Sequence, residues 1–179
     1  MRVTDLKFPE SDIPAIAARY VLGLSPKDKL LETEIEGFRV VVQSSGYLTK
    51  DQLRKLAKWK SRRSAGWIDD NEDDFIQEIT AFALSAKDER ARIESLTLLD
   101  GVEWAMASVI LHFCHKDPYP ILDFRALESL STKQPRSYNF KFWEEYKSVT
   151  RDLAKRAGVD MRTLDRAMWK YDEEDQKAS

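Results

Sequence analysis

The sequence predicts an all-α fold, and three observations carry that prediction. Only six glycines occur in 179 residues, and runs of β-branched residues are few. Through most of the chain, apolar residues return every three or four positions, the period of a helix with one buried face. The length suits one medium domain, or two small helical lobes that share a cleft. With 42% hydrophobic and 11% aromatic residues, such a chain can bury a core of its own.

The first helix is expected over 11–24. Ser11 or Asp12 caps it, Pro14 suits its first turn, and Ile13, Ile16, Ala17, Tyr20, Val21 and Leu24 share a side. Ser25-Pro26 breaks it. Over 28–43, Leu30, Leu31, Ile35, Phe38, Val41 and Val42 suit one helix, although Gly37 followed by Phe38–Val42 would also suit a strand; the helix is preferred. Ser44-Ser45-Gly46 is a turn. Thr49 and Gln52 form a Thr-x-x-Gln capping box, which opens a helix through about Lys60 carrying Leu53, Leu56, Ala57 and Trp59.

Asn71 is expected to cap a helix over 72–85, with Phe75, Ile76, Ile79, Phe82, Ala83 and Leu84 turned inward. A break at Lys87-Asp88 starts the next helix, which runs to Leu99. After the turn at Asp100-Gly101, Ala105, Ala107, Ser108, Val109, Leu111 and Phe113 are small or apolar, so this helix is buried nearly all round. Pro118 and Pro120 end helicity. Asp123 then opens a short helix over 124–131, where an acid is electrostatically favoured. Pro135 and Ser137 mark another break. A long amphipathic helix follows over 138–157 and stops at Gly158, and Asp160 caps a last helix carrying Met161, Leu164, Ala167, Met168 and Tyr171. From Asp172 the tail is charged and expected to fray.

A net charge of −2 does not advertise a nucleic-acid binder, but the distribution matters more than the sum. Between Lys50 and Arg63 there are seven cations against one acid, and Asp69, Asp70, Glu72, Asp73 and Asp74 follow at once. Such a run is either a solvated helix face or a surface for phosphates. Within it, Trp59 and Trp67 are either core anchors or aromatics that stack on a displaced base. No stretch of 18 uninterrupted apolar residues occurs, so no membrane span is expected. The first twelve residues lack the apolar core of a signal peptide, and the single cysteine, Cys114, cannot pair internally; a cytoplasmic, monomeric protein is expected. His112, Cys114 and His115 lie close in sequence, but Cys114 points away from the face that the two histidines share. Packing therefore explains them better than a metal, and no metal site is expected.

The stretch from Ile93 to Leu130 organises the rest. It combines Leu-Asp-Gly-Val at 99–102, the Ser108-Val109-Ile110-Leu111 helix and Tyr-Pro-Ile-Leu-Asp at 119–123, with the acid 22 residues after Gly101. In that order these motifs resemble the helix-hairpin-helix, Pro-rich loop and aspartate of the HhH-GPD superfamily of DNA glycosylases, and the last segment is similar to the adenine-glycosylase branch. About forty residues carry the likeness. It implies one helical domain over 1–179, two lobes around a cleft, with a hairpin and catalytic-loop core at about 88–131.

The resemblance further implies that Asp123 is the catalytic acid, stabilising an oxocarbenium-like sugar or activating water after the base has been flipped from the duplex. It implies DNA contacts at Gly101, Val102 and Glu103, helped in that family by a monovalent cation. Lys58, Lys60, Arg62, Arg63 and Arg125 are the further candidates for phosphate contacts, and Trp59, Trp67, Trp104 and Phe124 for a base pocket. Two positions depart from the pattern. Asp100 stands where the family has proline and Glu103 where it has a second glycine, which sets two acids against a phosphate. Ala105 occupies the position of the lysine nucleophile of bifunctional members, so a Schiff base cannot form there and the activity implied is monofunctional. One cysteine cannot hold an iron–sulfur cube. The expected function is excision of a modified or damaged base, in repair or in phage defence; the alternative is an inactive DNA-binding or protein-interaction module of the same fold.

Overall fold

The computed structural model describes residues 6–61 and 64–178, and among these residues every regular element is helical. The chain divides into two compact units. One is built from the residues up to Leu24 together with those from Pro118 onward; the other is Ser25–Asp117. No helix among the described residues is long and apolar enough to cross a membrane.

Among the described residues, the Ser25–Asp117 unit contains six α-helices, α2 (Pro26–Glu36), α3 (Phe38–Ser45), α4 (Lys50–Lys60), α5 (Asp73–Ser85), α6 (Glu89–Leu96) and α7 (Trp104–Cys114), and a 3₁₀ helix over Ser64–Asp70. The single helix expected over 28–43 is in fact two. Gly37 closes α2 through a tight bond from its N–H to the Glu34 carbonyl at 3.1 Å, and a glycine at that point gives up helix propensity on both sides. The Thr49 box forms as expected, with Gln52 N–H on Thr49 Oγ1 at 3.3 Å and Thr49 N–H on Gln52 Oε1 at 2.9 Å. Gly46 takes the left-handed conformation (φ 83°) that ends α3.

The cap predicted at Asn71 is absent. Glu72 is the residue before α5, and Asn71 turns inward to other partners. Phe75 and Phe82 are exposed, contrary to the inward face expected; the side that packs carries Ile76, Thr80 and Ala83. Thr80 does structural work there, accepting from Leu48 N–H at 3.0 Å and donating to the Ile76 carbonyl at 2.7 Å. Asp88 caps α6, which ends at Leu96, three residues before the expected stop. At the centre of the unit, α7 is buried from Met106 to Cys114. Burying Val109, Ile110 and Leu111 alone contributes roughly 5–9 kcal/mol of transfer free energy.

The other unit contains α1 (Ile13–Gly23), preceded by a 3₁₀ turn over Glu10–Asp12, then α8 (Phe124–Ser129), α9 (Phe140–Ala157) and α10 (Met161–Ala178). α10 packs against α1 and α8. Its far end does not fray. Asp172 is only 4% exposed and accepts from Arg125 at 2.8 Å, which holds the last two turns in place. α9 starts at Phe140, two residues later than expected, because Asn139 caps it by accepting from Phe142 N–H at 3.0 Å. Gly158 (φ 65°) ends α9, and Asp160 caps α10 through Thr163 N–H at 2.7 Å, both as expected.

Candidate functional site

The expected site residues fall in two groups, one in each unit. In the Ser25–Asp117 unit, α6 and α7 are joined by a turn in which Gly101 takes φ +77°. A side chain is strained in that region, which is why glycine stands there. Val102 is buried and its N–H returns to the Leu99 carbonyl at 3.0 Å. Asn71 braces the turn from outside: its Nδ2 donates to the carbonyls of Ile68 (3.2 Å) and Asp100 (3.0 Å), and Asp100 N–H donates to its Oδ1 at 2.8 Å. Nothing in the sequence pattern singled out this role for Asn71.

Beside the turn lies a cavity of about 500 Å³ whose wall includes Lys60, Trp67, Gly101, Glu103 and Ala105. α7 begins here, and no side chain caps it. The first N–H groups of a helix have no carbonyl one turn back, so this end offers donors and the positive pole of the helix dipole. Trp67 is 63% exposed and is no core anchor. The cavity thus unites an ammonium, a flat exposed indole and backbone donors. Against them stand the carboxylates of Glu103 and, in the same turn, Asp100, both exposed.

Other candidates prove to be occupied elsewhere. Trp59 donates through Nε1 to Glu32 at 3.2 Å and meets Phe113 edge-on at 5.0 Å, so it packs α4 onto α2 and α7. Much of the basic run is neutralised locally. Lys50 donates to the Asn71 carbonyl, Arg54 pairs with Asp69, and Lys55 lies between Glu34 and Asp51. Lys58 is exposed, Lys60 and Trp104 are half-buried, and Arg62 and Arg63 lie outside the described residues. His112 and Cys114 are buried in packing, and burial pushes the Cys114 thiol far up, toward the neutral form.

In the other unit, Asp123 ends the extended segment from Pro118 and caps α8, its Oδ1 accepting from Arg125 N–H at 3.0 Å. α9 holds that segment at three points. Arg151 donates to the Pro118 carbonyl at 2.7 Å and lies 4.6 Å over the Tyr119 ring; Tyr119 stacks on Trp143 at 6.1 Å; and Tyr146 Oη donates to the Ile121 carbonyl at 2.8 Å. The carboxylate is therefore positioned by side chains 25 to 33 residues from the carbonyls they hold. Two phenols feel its charge. Burial raises the Tyr138 and Tyr146 hydroxyls above the ordinary tyrosine range, and the negative charge of Asp123 adds to the effect in both. Each stays protonated at neutral pH and is a donor.

Arg125, expected to meet phosphate or Asp123, is held inside this unit. Its guanidinium pairs with Asp172, bonds Gln176 at 3.2 Å and lies over the rings of Trp169 and Phe124 at 5.2 and 5.0 Å. Phe124, although exposed, is thus a partner of Arg125 in the first place. Tyr138, Tyr146 and Arg151 escaped the sequence reading because periodicity records only that they are positions on an amphipathic helix or beside it.

Comparison with known proteins returned no match among family models, curated proteins or solved structures.

Proposed function

We propose that this protein is a monofunctional DNA glycosylase that flips a modified or damaged base and leaves an abasic site. The observation that carries the reading is the immobilised Asp123, fixed by its cap bond to Arg125 N–H and by the three contacts from α9 on the segment before it. A fixed carboxylate stabilises the positive charge that develops on a deoxyribose as its glycosidic bond breaks, and it costs no reorganisation at that moment. The neighbouring protonated phenol of Tyr138 suits a site that must orient a water, while that of Tyr146 holds the Ile121 carbonyl.

DNA binding is assigned to the uncapped start of α7, the Gly101 turn, Lys60 and Trp67. A backbone phosphate would meet the N–H donors while a base or sugar packs on the indole. A monovalent cation at the turn would offset Asp100 and Glu103. With Ala105 in place of an amine, no lyase step follows base release.

The test is base release from a panel of modified duplexes and hypermodified phage DNA, scored as alkali-labile sites, with Asp123→Asn beside the native protein. Release that disappears in the variant while DNA binding persists supports the reading. The two exposed acids at the turn favour a second reading, an inactive module that binds DNA or a protein partner. It predicts no release on any substrate, with salt-sensitive binding where the partner is DNA.

A further inference from the structure

One exposed face of α5 is apolar. Phe75 is 40% exposed and Phe82 is 52% exposed, and Ile79, half-buried, comes between them. Residues four and seven positions apart fall within about 40° of each other around a helix, so these three side chains form one stripe. A different side of α5, with Ile76, Thr80 and Ala83, is the one buried in the unit. Two phenylalanines left in water along one stripe gain little for the fold. Aromatic side chains are, however, the anchors at the centres of protein interfaces.

Charge decides what covers the stripe. From Ser64 to Ala86 the chain has six acids, Asp69, Asp70, Glu72, Asp73, Asp74 and Glu78, and no lysine or arginine. Arg54 pairs with Asp69 and Lys50 with Asp73. The other four are exposed and make no ion pair among the described residues. Asp74 and Glu78, one turn apart, run along the flank of the aromatic stripe. A second copy of the chain fits this face badly. A two-fold axis through the middle of the stripe sets Glu78 of both copies close together, and α5 carries no cation to offset them. DNA, a polyanion, is repelled on the same ground.

We propose that this face of α5 docks a basic amphipathic helix of a partner protein. Apolar side chains of that helix cover Phe75, Ile79 and Phe82, while its lysines or arginines meet Asp74 and Glu78. The surface does not depend on the glycosylase reading.

The probe is a fluorescently labelled peptide of about 18 residues, leucine at the i, i+3, i+4 and i+7 positions of a helix and lysine elsewhere. Its control has glutamate at every lysine position. Anisotropy titration with the full-length protein should give saturable binding of the lysine peptide, with a dissociation constant on the order of 10–100 µM. The glutamate peptide should bind at least about tenfold more weakly. Phe82→Ala should weaken the lysine peptide about tenfold, and Glu78→Lys about three- to tenfold. Asp152→Lys, the same charge reversal at an exposed position of α9, should leave its affinity unchanged. Circular dichroism checks that each variant keeps its helices. Equal binding of the two peptides, no saturation by about 1 mM, or an affinity insensitive to Phe82→Ala would each overturn the proposal. So would an Asp152→Lys effect as large as that of Glu78→Lys, which would mean attraction to net charge alone. A dimer in sedimentation velocity that Phe82→Ala dissociates would overturn it too, since a second copy would then cover the face.

Discussion

Replacing Asn71 by alanine tests whether the Gly101 turn is braced from α5's side. Asn71 is 4% exposed and makes three side-chain hydrogen bonds, two of them to the backbone of Asp100. At about 1 kcal/mol net per bond the loss is roughly 3 kcal/mol. Asp100 is exposed, so water can replace part of its share, and the expected loss is about 1.5–3 kcal/mol. With an m-value of about 2 kcal/mol/M in urea, the midpoint falls by roughly 0.7–1.5 M. Asn71→Asp should do no better than alanine, because it keeps only the bond from Asp100 N–H and turns a carboxylate toward two carbonyls. Urea unfolding followed by tryptophan fluorescence measures both. A midpoint within about 0.2 M of the native protein would refute the argument, since three bonds from a buried amide would then contribute nothing.

Three further outcomes are expected. Arg125→Ala leaves Asp172 buried with Gln176 as its remaining side-chain donor and should cost about 2–3 kcal/mol, read as a fall in Tm; an unchanged Tm would restore the frayed tail. The pKa of His115 is lowered in the folded state by burial and by Arg92, so the unfolded chain takes up its proton first. Stability from this residue is complete above the unfolded value near 6.5 and declines as pH falls below it, by at most about 1.4 kcal/mol per pH unit. His115→Gln should remove that slope in urea titrations run between pH 7 and about 5, and an identical slope in the variant would show that other groups cause it. Trp67→Ala should leave Tm nearly unchanged, because the indole is exposed, yet weaken DNA binding by about 1–3 kcal/mol in fluorescence anisotropy if the indole stacks on a base.

How far the site was legible follows the range of the interactions involved. Asp123 was recognisable because a helix-opening acid two residues beyond Tyr-Pro-Ile is a local pattern. What holds it was not, for Tyr146 and Arg151 reach back to Ile121 and Pro118 from another helix. Trp59 and Trp67 looked alike in sequence, eight residues apart among cations. One has Glu32 and Phe113 as partners and the other faces solvent, a difference made by distant residues.

By itself the sequence determined that the chain is helical and where several helices begin and end. The Thr49 box, the Asp88 and Asp160 caps and the left-handed glycines at 46 and 158 act within one turn of chain, so a short window contains all their physics. Tertiary structure alone decided which face of α5 is buried, why α10 stays helical to Ala178 and where the cations of the basic run are spent. Those outcomes depend on partners brought near by folding. Asn71 and Arg125 mark the boundary: a residue that suits a cap or a phosphate by type is claimed by a buried backbone or a buried carboxylate, where an unmet hydrogen bond costs more than any local preference contributes.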